Sequence, residues 1–387
     1  MRLLHTSDWH LGRSLHRADL SEAQERFVDH LVDLVRAEAV DAVLVAGDVY
    51  DRAIPPLASI GLFEDALLRL RDTGATVVAI SGNHDSPQRL GVNGSLLAKS
   101  GVHLRTRLTD VARPILLTDR NSEDEVAVYA LPYLEPDAVR AELAAACGRE
   151  VTRSHADVVG TALALSAADR AGRDPARTVL LAHGWVTGAQ PSESERDISV
   201  GGVGAVPASL FEGFGYAAFG HLHRPQRITE RLRYSGSALP YSFSEADQQK
   251  GSWLVDLAAP ASAVFVPTPT QRRLTCLRGE LDELLSSREH VDREGDYLAI
   301  TLTDVVRPVG AMERLRVRFP DVLMLSWEPA SFEKNAPSSY RDLVRGRSDL
   351  DVALDFVEHV RNAPADPAER DLLDQALTAV RREDDAA

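Results

Sequence analysis

The sequence predicts an α/β fold followed by a smaller βαβαβ unit and a pair of helices, and three observations carry that reading. Short apolar strands alternate with amphipathic helices from Leu3 to Ile80. The same alternation restarts after a Pro-Thr-Pro-Thr stretch at 267–270, and the C-terminal part then carries two helical stripes without a strand pattern.

In order, Leu3 to Thr6 reads as a strand, and Phe27, Leu31, Leu34 and Val35 recur at helical spacing before a buried strand at Val43 to Ala46. A second helix carries Ile60, Phe63, Leu67 and Leu70. Gly74 stops it, and Thr76 to Ile80 forms the next strand. Further strands are expected at Val126 to Ala130, Thr178 to Ala182, Tyr216 to Phe219 and Leu232 to Ser235, with alanine-rich helix between Glu135 and Arg177. Beyond the Pro-Thr stretch come a strand, a helix at Leu281 to Ser287, a strand at Tyr297 to Thr303, a helix at Ala311 to Val317 and a strand at Val322 to Trp327. Val352, Phe356 and Val360 then make one apolar face. A last helix opens with Asp366 as N-cap, Pro367 at its first position and Glu369 three residues after the cap, and carries Leu373, Leu377 and Val380. The boundaries that follow are 1–266, 271–332 and 336–387. The last of these is an αα hairpin that packs on its own protein or lies against a partner's helices.

Composition narrows the classes. No apolar run approaches the ~20 residues that spanning a bilayer needs, and Met1 leads straight into a strand with no room for a cleaved signal, so a cytoplasmic protein with no membrane partner is expected. Two distant cysteines, Cys147 and Cys276, support neither a disulfide framework nor a thiolate zinc site. The net charge of -15 argues against a protein that grips a polyanion tightly by itself, because cationic side chains supply most non-specific affinity for nucleic acid. Either a partner helps to hold such a polymer or the acidity serves solubility.

Five segments place metal-type ligands at or just after predicted strand ends: Asp8-Trp-His10, Gly47-Asp48-Val-Tyr-Asp51, Gly82-Asn83-His84-Asp85, His183-Gly184 and Gly220-His221-Leu-His223. In α/β sheets that rim is where loops converge on a site. Alternating pairs such as Asp8/His10 and His221/His223 can aim two donors the same way, each pair at one ion. Imidazoles mixed with carboxylates suit manganese, iron or zinc. A carboxylate, here Asp48, can bridge two ions, and a pair of ions ~3.5 to 4 Å apart is the standard device for in-line displacement at phosphorus. Gly47, Gly82 and Gly220 allow tight turns beside the ions. Arg13, Arg52 and Arg89 lie near these loops as candidate phosphate contacts or as ordinary solvated arginines.

Taken in this order, the segments resemble the calcineurin-like metallophosphoesterase superfamily. His5-Thr-Ser-Asp8-Trp-His10-Leu-Gly12, Gly47 to Asp51 and Tyr234 to Phe243 resemble its bacterial SbcD-type nuclease subunits in particular. The resemblance implies a two-sheet sandwich flanked by helices, a small capping domain and C-terminal helices. It implies one ion on Asp8, His10 and His223, another on Asn83, His183 and His221, Asp48 on both, and manganese as the metal. His84 would be the catalytic histidine and Asp51 the partner that fixes its tautomer. The implied activity is double-strand exonuclease and single-strand endonuclease action on DNA in repair, recombination and replication. It would be exerted as a homodimer joined to an ABC-type coiled-coil ATPase within a heterotetramer. The competing readings are a phosphoesterase for small molecules and a non-catalytic subunit that recruits partners.

Overall fold

A computed structural model describes residues 1–119, 124–196, 198, 204–270, 272–329, 347–361 and 363–384, and in these the side chains of all but 359 and 380–384. The chain divides into two compact units, Met1–Gln271 and Arg272–Ala387.

The first unit is a mixed α/β sandwich of two six-stranded sheets. In one sheet the parallel strands β1 (Arg2–Thr6), β2 (Ala42–Val45) and β3 (Thr76–Ile80) are linked by helices α1 (Ser21–Ala37) and α2 (Leu57–Asp72). The short helices α3 (Pro87–Leu90) and α4 (Gly94–Ala98) lead on to β4 (Val102–Arg105), which extends the parallel run. In the other sheet β5 (Ile115–Thr118) pairs antiparallel with β6 (Glu125–Leu131). After α5 (Pro136–Cys147), α6 (His155–Ala164) and α7 (Ala167–Arg170), the strands β7 (Thr178–His183) and β8 (Tyr216–Gly220) continue it in parallel. The ribbon β9 (Gln226–Arg227) and β10 (Leu232–Tyr234) completes that edge, β10 lying beside β8.

The pleat explains the layering. In β2, Ala42 and Leu44 join Val78, Ile80, Val128, Val179, Leu181 and Ala218 in the core between the sheets, while Val43 and Val45, on the opposite face, are also fully buried. Parallel strands covered on both sides need such continuous apolar runs, and each buried Val or Leu contributes about 1.5–3 kcal/mol. The outer face of the second sheet packs Tyr129, Leu180 and Phe219 against Leu143 of α5 and Val158 of α6. Trp9 stands edge-on to Phe27 of α1 and Phe63 of α2, with ring centres 5.5 and 5.9 Å away.

Five strands of the first unit escaped the sequence reading: β4, β5 and β9, and two that join the first sheet. β11 (Gly251–Asp256) returns from far along the chain to pair antiparallel with β1, and β12 (Val264–Pro267) pairs with β11. Pro267, assigned above to a linker, therefore ends an edge strand, where its missing N–H is tolerated. In α2 the buried stripe is Phe63, Ala66, Leu67 and Leu70, whereas Ile60 is 42% exposed.

The second unit holds a parallel sheet of β13 (Leu274–Gly279), β14 (Tyr297–Leu302) and β15 (Val322–Trp327), with α8 (Leu281–Ser286) and α9 (Ala311–Arg318) between them. Leu281, Leu298, Ile300, Leu315 and Phe319 form its core. Helices α10 (Asp349–Arg361) and α11 (Pro367–Asp384) follow. At the start of α11, Glu369 N–H donates to Asp366 Oδ1 (2.8 Å) and Asp366 N–H to Glu369 Oε2 (2.8 Å), the reciprocal cap expected for that sequence. Phe356 and Val360 of α10 and Leu372 of α11 are exposed. The expected apolar position at 380 and the hinge residue Asn362 lie outside the described residues and side chains.

Candidate metal centre

The loops after β1, β2, β3, β7 and β8 deliver the expected donors to one place. Three sets of side chains each bring ligand atoms within 4.8 Å of one another: Asp8, His10 and His223; Asp48, His183 and His221; and His10, Asp48 and His84. Asp48 Oδ2 lies 3.6 Å from His10 Nε2 of the first set and 3.6 Å from His183 Nε2 of its own. Asn83 Oδ1 sits 2.9 Å from His183 Nε2 and 3.0 Å from His221 Nδ1. His10 Nε2 and His223 Nε2 face each other at 3.0 Å.

The backbone is bent to achieve this. Asp8 (φ 51°), His10 (φ 44°), Asp48 (φ 49°) and His221 (φ 101°) all have positive φ, a costly conformation for side chains of this kind, and such strain gathers at functional sites. Hydrogen bonds from Asp8 N–H to Gly47 O and from His10 N–H to Asp48 O, both 3.0 Å, hold the first two loops together. Gly82 is required by contact: a Cβ there would lie 2.1 Å from Asp48 Oδ1. Gly47 combines a positive φ of 89° with the His183 ring, 2.4 Å from where its Cβ would stand. Asp85 anchors the third loop by accepting from the N–H groups of Val49 (3.1 Å), Tyr50 (2.9 Å) and Gly82 (2.9 Å).

One expectation is corrected. His221 and His223 do not aim at a single ion but join different sets, His221 with Asp48 and His183 and His223 with Asp8 and His10. A second correction concerns Asp51. His84 Nδ1 donates to the main-chain oxygen of Asp51 (2.8 Å), while the Asp51 carboxylate turns to Arg52 (3.4 Å), Arg13 (3.8 Å) and His10 Nδ1 (3.9 Å). Among the described residues, the tautomer of His84 is fixed by a carbonyl, not by a carboxylate. The His84 ring stands edge-on to His10, 4.7 Å between centres, and its main-chain N–H donates to Asp48 Oδ1 (2.9 Å).

The electrostatics favour cations. Burial, and next the charge of Asp48, push the Asp8 carboxyl well above the ordinary carboxylate range. Burial and the neighbouring imidazoles hold His10 and His221 well below 6.5, and burial lowers His183, so these rings are neutral, the form that ligates. His183 Nδ1 donates to Ala46 O (2.8 Å), which turns the lone pair of Nε2 toward the Asn83 carbonyl oxygen. Buried acceptors are thus pressed together beside two carboxylates: His10 Nε2 against His223 Nε2, and Asn83 Oδ1 against His183 and His221. A divalent cation removes these costs, and imidazole, carboxylate and amide oxygen suit manganese, iron or zinc. The residues fit a metal pair.

Sequence reasoning missed the shell behind His223. Glu245, Lys250, Ser194 and Glu195 surround that residue, and none of them belongs to the five segments. Burial works against the Glu245 carboxylate, yet hydrogen bonds from His223 and the charge of Lys250 hold it below its usual range. No helix among the described residues is long and apolar enough to cross a membrane.

A solved structure, TT1561 of Thermus thermophilus, is similar with a TM-score of 0.40 and 12% identity, over 69% of this chain and 99% of that one. The calcineurin-like phosphoesterase family model matches residues 1–225, more than half of the chain and a stretch that contains all seven expected donors. The chain belongs to the calcineurin-like phosphoesterase family, whose members are metal-dependent hydrolases of phosphoesters.

Proposed function

We propose that this protein is a two-metal DNA phosphodiesterase of the SbcD type, the nuclease subunit of a complex with an ABC-type coiled-coil ATPase. The observation that carries the reading is the convergence of Asp8, His10, Asp48, Asn83, His183, His221 and His223, with the Asp48 carboxylate equally far from His10 and His183. DNA as substrate is supported by the SbcD-like segments around Asp8, Asp48 and Tyr234 and by the second unit, which a compact substrate would not need. A partner that grips DNA answers the net charge of -15. Exposed Phe356, Val360 and Leu372 support the C-terminal helices as the place where the ATPase docks, and exposed Leu57, Ile60 and Leu68 along α2 support a homodimer.

Asp8, His10 and His223 would hold one ion, Asn83, His183 and His221 the other, and Asp48 both. Two divalent cations there, manganese in our reading, supply the positive charge that in-line displacement at phosphorus requires. Asp48 keeps the positions together, and its Oδ1 ties them to the His84 main chain. Because His84 Nδ1 donates to the Asp51 carbonyl, Nε2 is the atom left to carry a proton to the leaving oxygen. The half-buried ring lies beside His10 and has a ligand-type nitrogen within reach of those of His10 and Asp48.

The test is cleavage of linear double-stranded DNA with manganese, with and without the coiled-coil ATPase, beside a panel of cyclic nucleotides and phosphomonoesters. We expect manganese-dependent DNA cleavage that chelation abolishes and the ATPase enhances. Turnover of the small molecules without DNA cleavage would reject the DNA reading, and no turnover of either would leave a recruiting role. Removal of residues 336–387 should end co-purification with the ATPase and spare a chromogenic diester; retained co-purification rejects the docking site.

A further inference from the structure

The two ligand sets differ in what stands behind them. His223 is held at three points. Its N–H donates to Glu195 Oε1 (2.6 Å), its carbonyl accepts from Lys250 Nζ (2.7 Å), and its Nδ1 meets Ser194 Oγ (2.5 Å) and Glu245 Oε1 (3.3 Å). Glu245 is fully buried. Its Oε1 also accepts from Ser192 Oγ (3.1 Å) and Ser194 Oγ, and its Oε2 from Tyr241 N–H (3.0 Å) and Lys250 Nζ (2.8 Å). Lys250, 6% exposed, gives its remaining bond to Gln248 Oε1 (3.0 Å). Behind His183, among the described residues, stands the neutral carbonyl of Ala46 (2.8 Å).

Glu245 takes the far N–H of the His223 imidazole through the Ser194 hydroxyl at 2.5 Å and directly at 3.3 Å; a carboxylate so placed fixes the ring and makes the near nitrogen a stronger donor, and outer partners of this kind are worth about 10- to 100-fold in metal affinity. A carbonyl does the first and less of the second. Glu245 and Lys250 lie beyond the residues that match the family model and serve no other site described above. We infer that Glu245, held in place by Lys250, is a positioning residue that makes the Asp8–His10–His223 position the tighter of two ion positions, the one that fills first. The inference rests on the two-ion reading of the centre.

The experiment is a calorimetric titration of the metal-free full-length chain with manganese, repeated with cobalt to follow the visible absorption of each filling step. The wild type should show two binding events. His223→Asn should remove the tighter one, and His183→Asn should spare it. In Glu245→Gln the tighter event should weaken about 10- to 100-fold while the weaker one stays in place, so the two merge. Because Glu245→Gln leaves a buried lysine unpaired and can unfold the chain, the Glu245→Gln/Lys250→Met double variant removes both charges together. It should show the same selective loss with a thermal melt like that of the wild type. Unchanged affinities in either folded variant overturn the inference, as does an equal fall at both positions. A wild type that binds no manganese overturns the two-ion reading instead.

Discussion

Both units of the chain are built from parallel strands joined by helices, yet only one of them makes a reactive rim. In the first unit the chain leaving β1, β2 and β8 passes through Asp8, Asp48 and His221, all at positive φ, and each presents a donor. In the second unit the only positive φ among the described residues belongs to Gly310, which starts α9, and no set of potential metal ligands occurs there among the described residues. The difference teaches that a parallel βα order supplies a place for a site, whereas forcing polar residues into left-handed backbone at the strand ends supplies the site itself.

The comparison breaks most sharply at Asp48. Asp48→Ala should lower diesterase turnover by on the order of a thousandfold or more, since it deprives both ion positions of a ligand. Elemental analysis of that variant should find neither ion, and two retained ions would refute the bridge. His84→Gln should keep its metal and lose about a hundredfold to ten-thousandfold in turnover, the share expected of a positioned proton donor. Unchanged turnover would remove His84 from the chemistry. At the other extreme, Leu315→Ala in the core of the second unit should cost about 2–5 kcal/mol in denaturant unfolding of that unit. It should leave hydrolysis of a small chromogenic diester untouched, and a parallel loss of that activity would show that the second unit supports the centre directly.

Much of this contrast could be read from residue order. Val43 to Ala46 and Val77 to Ile80 are buried on both faces, so an unbroken apolar run marks them; Gly47-Asp48 follows the first at once and Gly82-Asn83 follows the second after Ser81. β12 was missed because edge strands lack that signal: Val264 is 58% exposed, and Pro267 looks like a linker. β11 pairs with β1 across most of the first unit, which no local pattern reports. The seven donors were legible because ligand chemistry restricts residue type. Glu245 was not, because its role depends on Ser192, Ser194, His223 and Lys250 meeting in space, and a buried glutamate has no sequence mark of its own. The divergence of His221 from His223 was hidden for a related reason, since it depends on which side chains each meets in space and not on spacing.

The central claim is that seven side chains from five loops seat a pair of cations. It is tested most directly by counting bound metal in the purified full-length chain, by elemental analysis after equilibration with manganese. The account predicts two manganese ions per chain, both lost on chelation. A chain that retains its fold and binds one ion or none would contradict it.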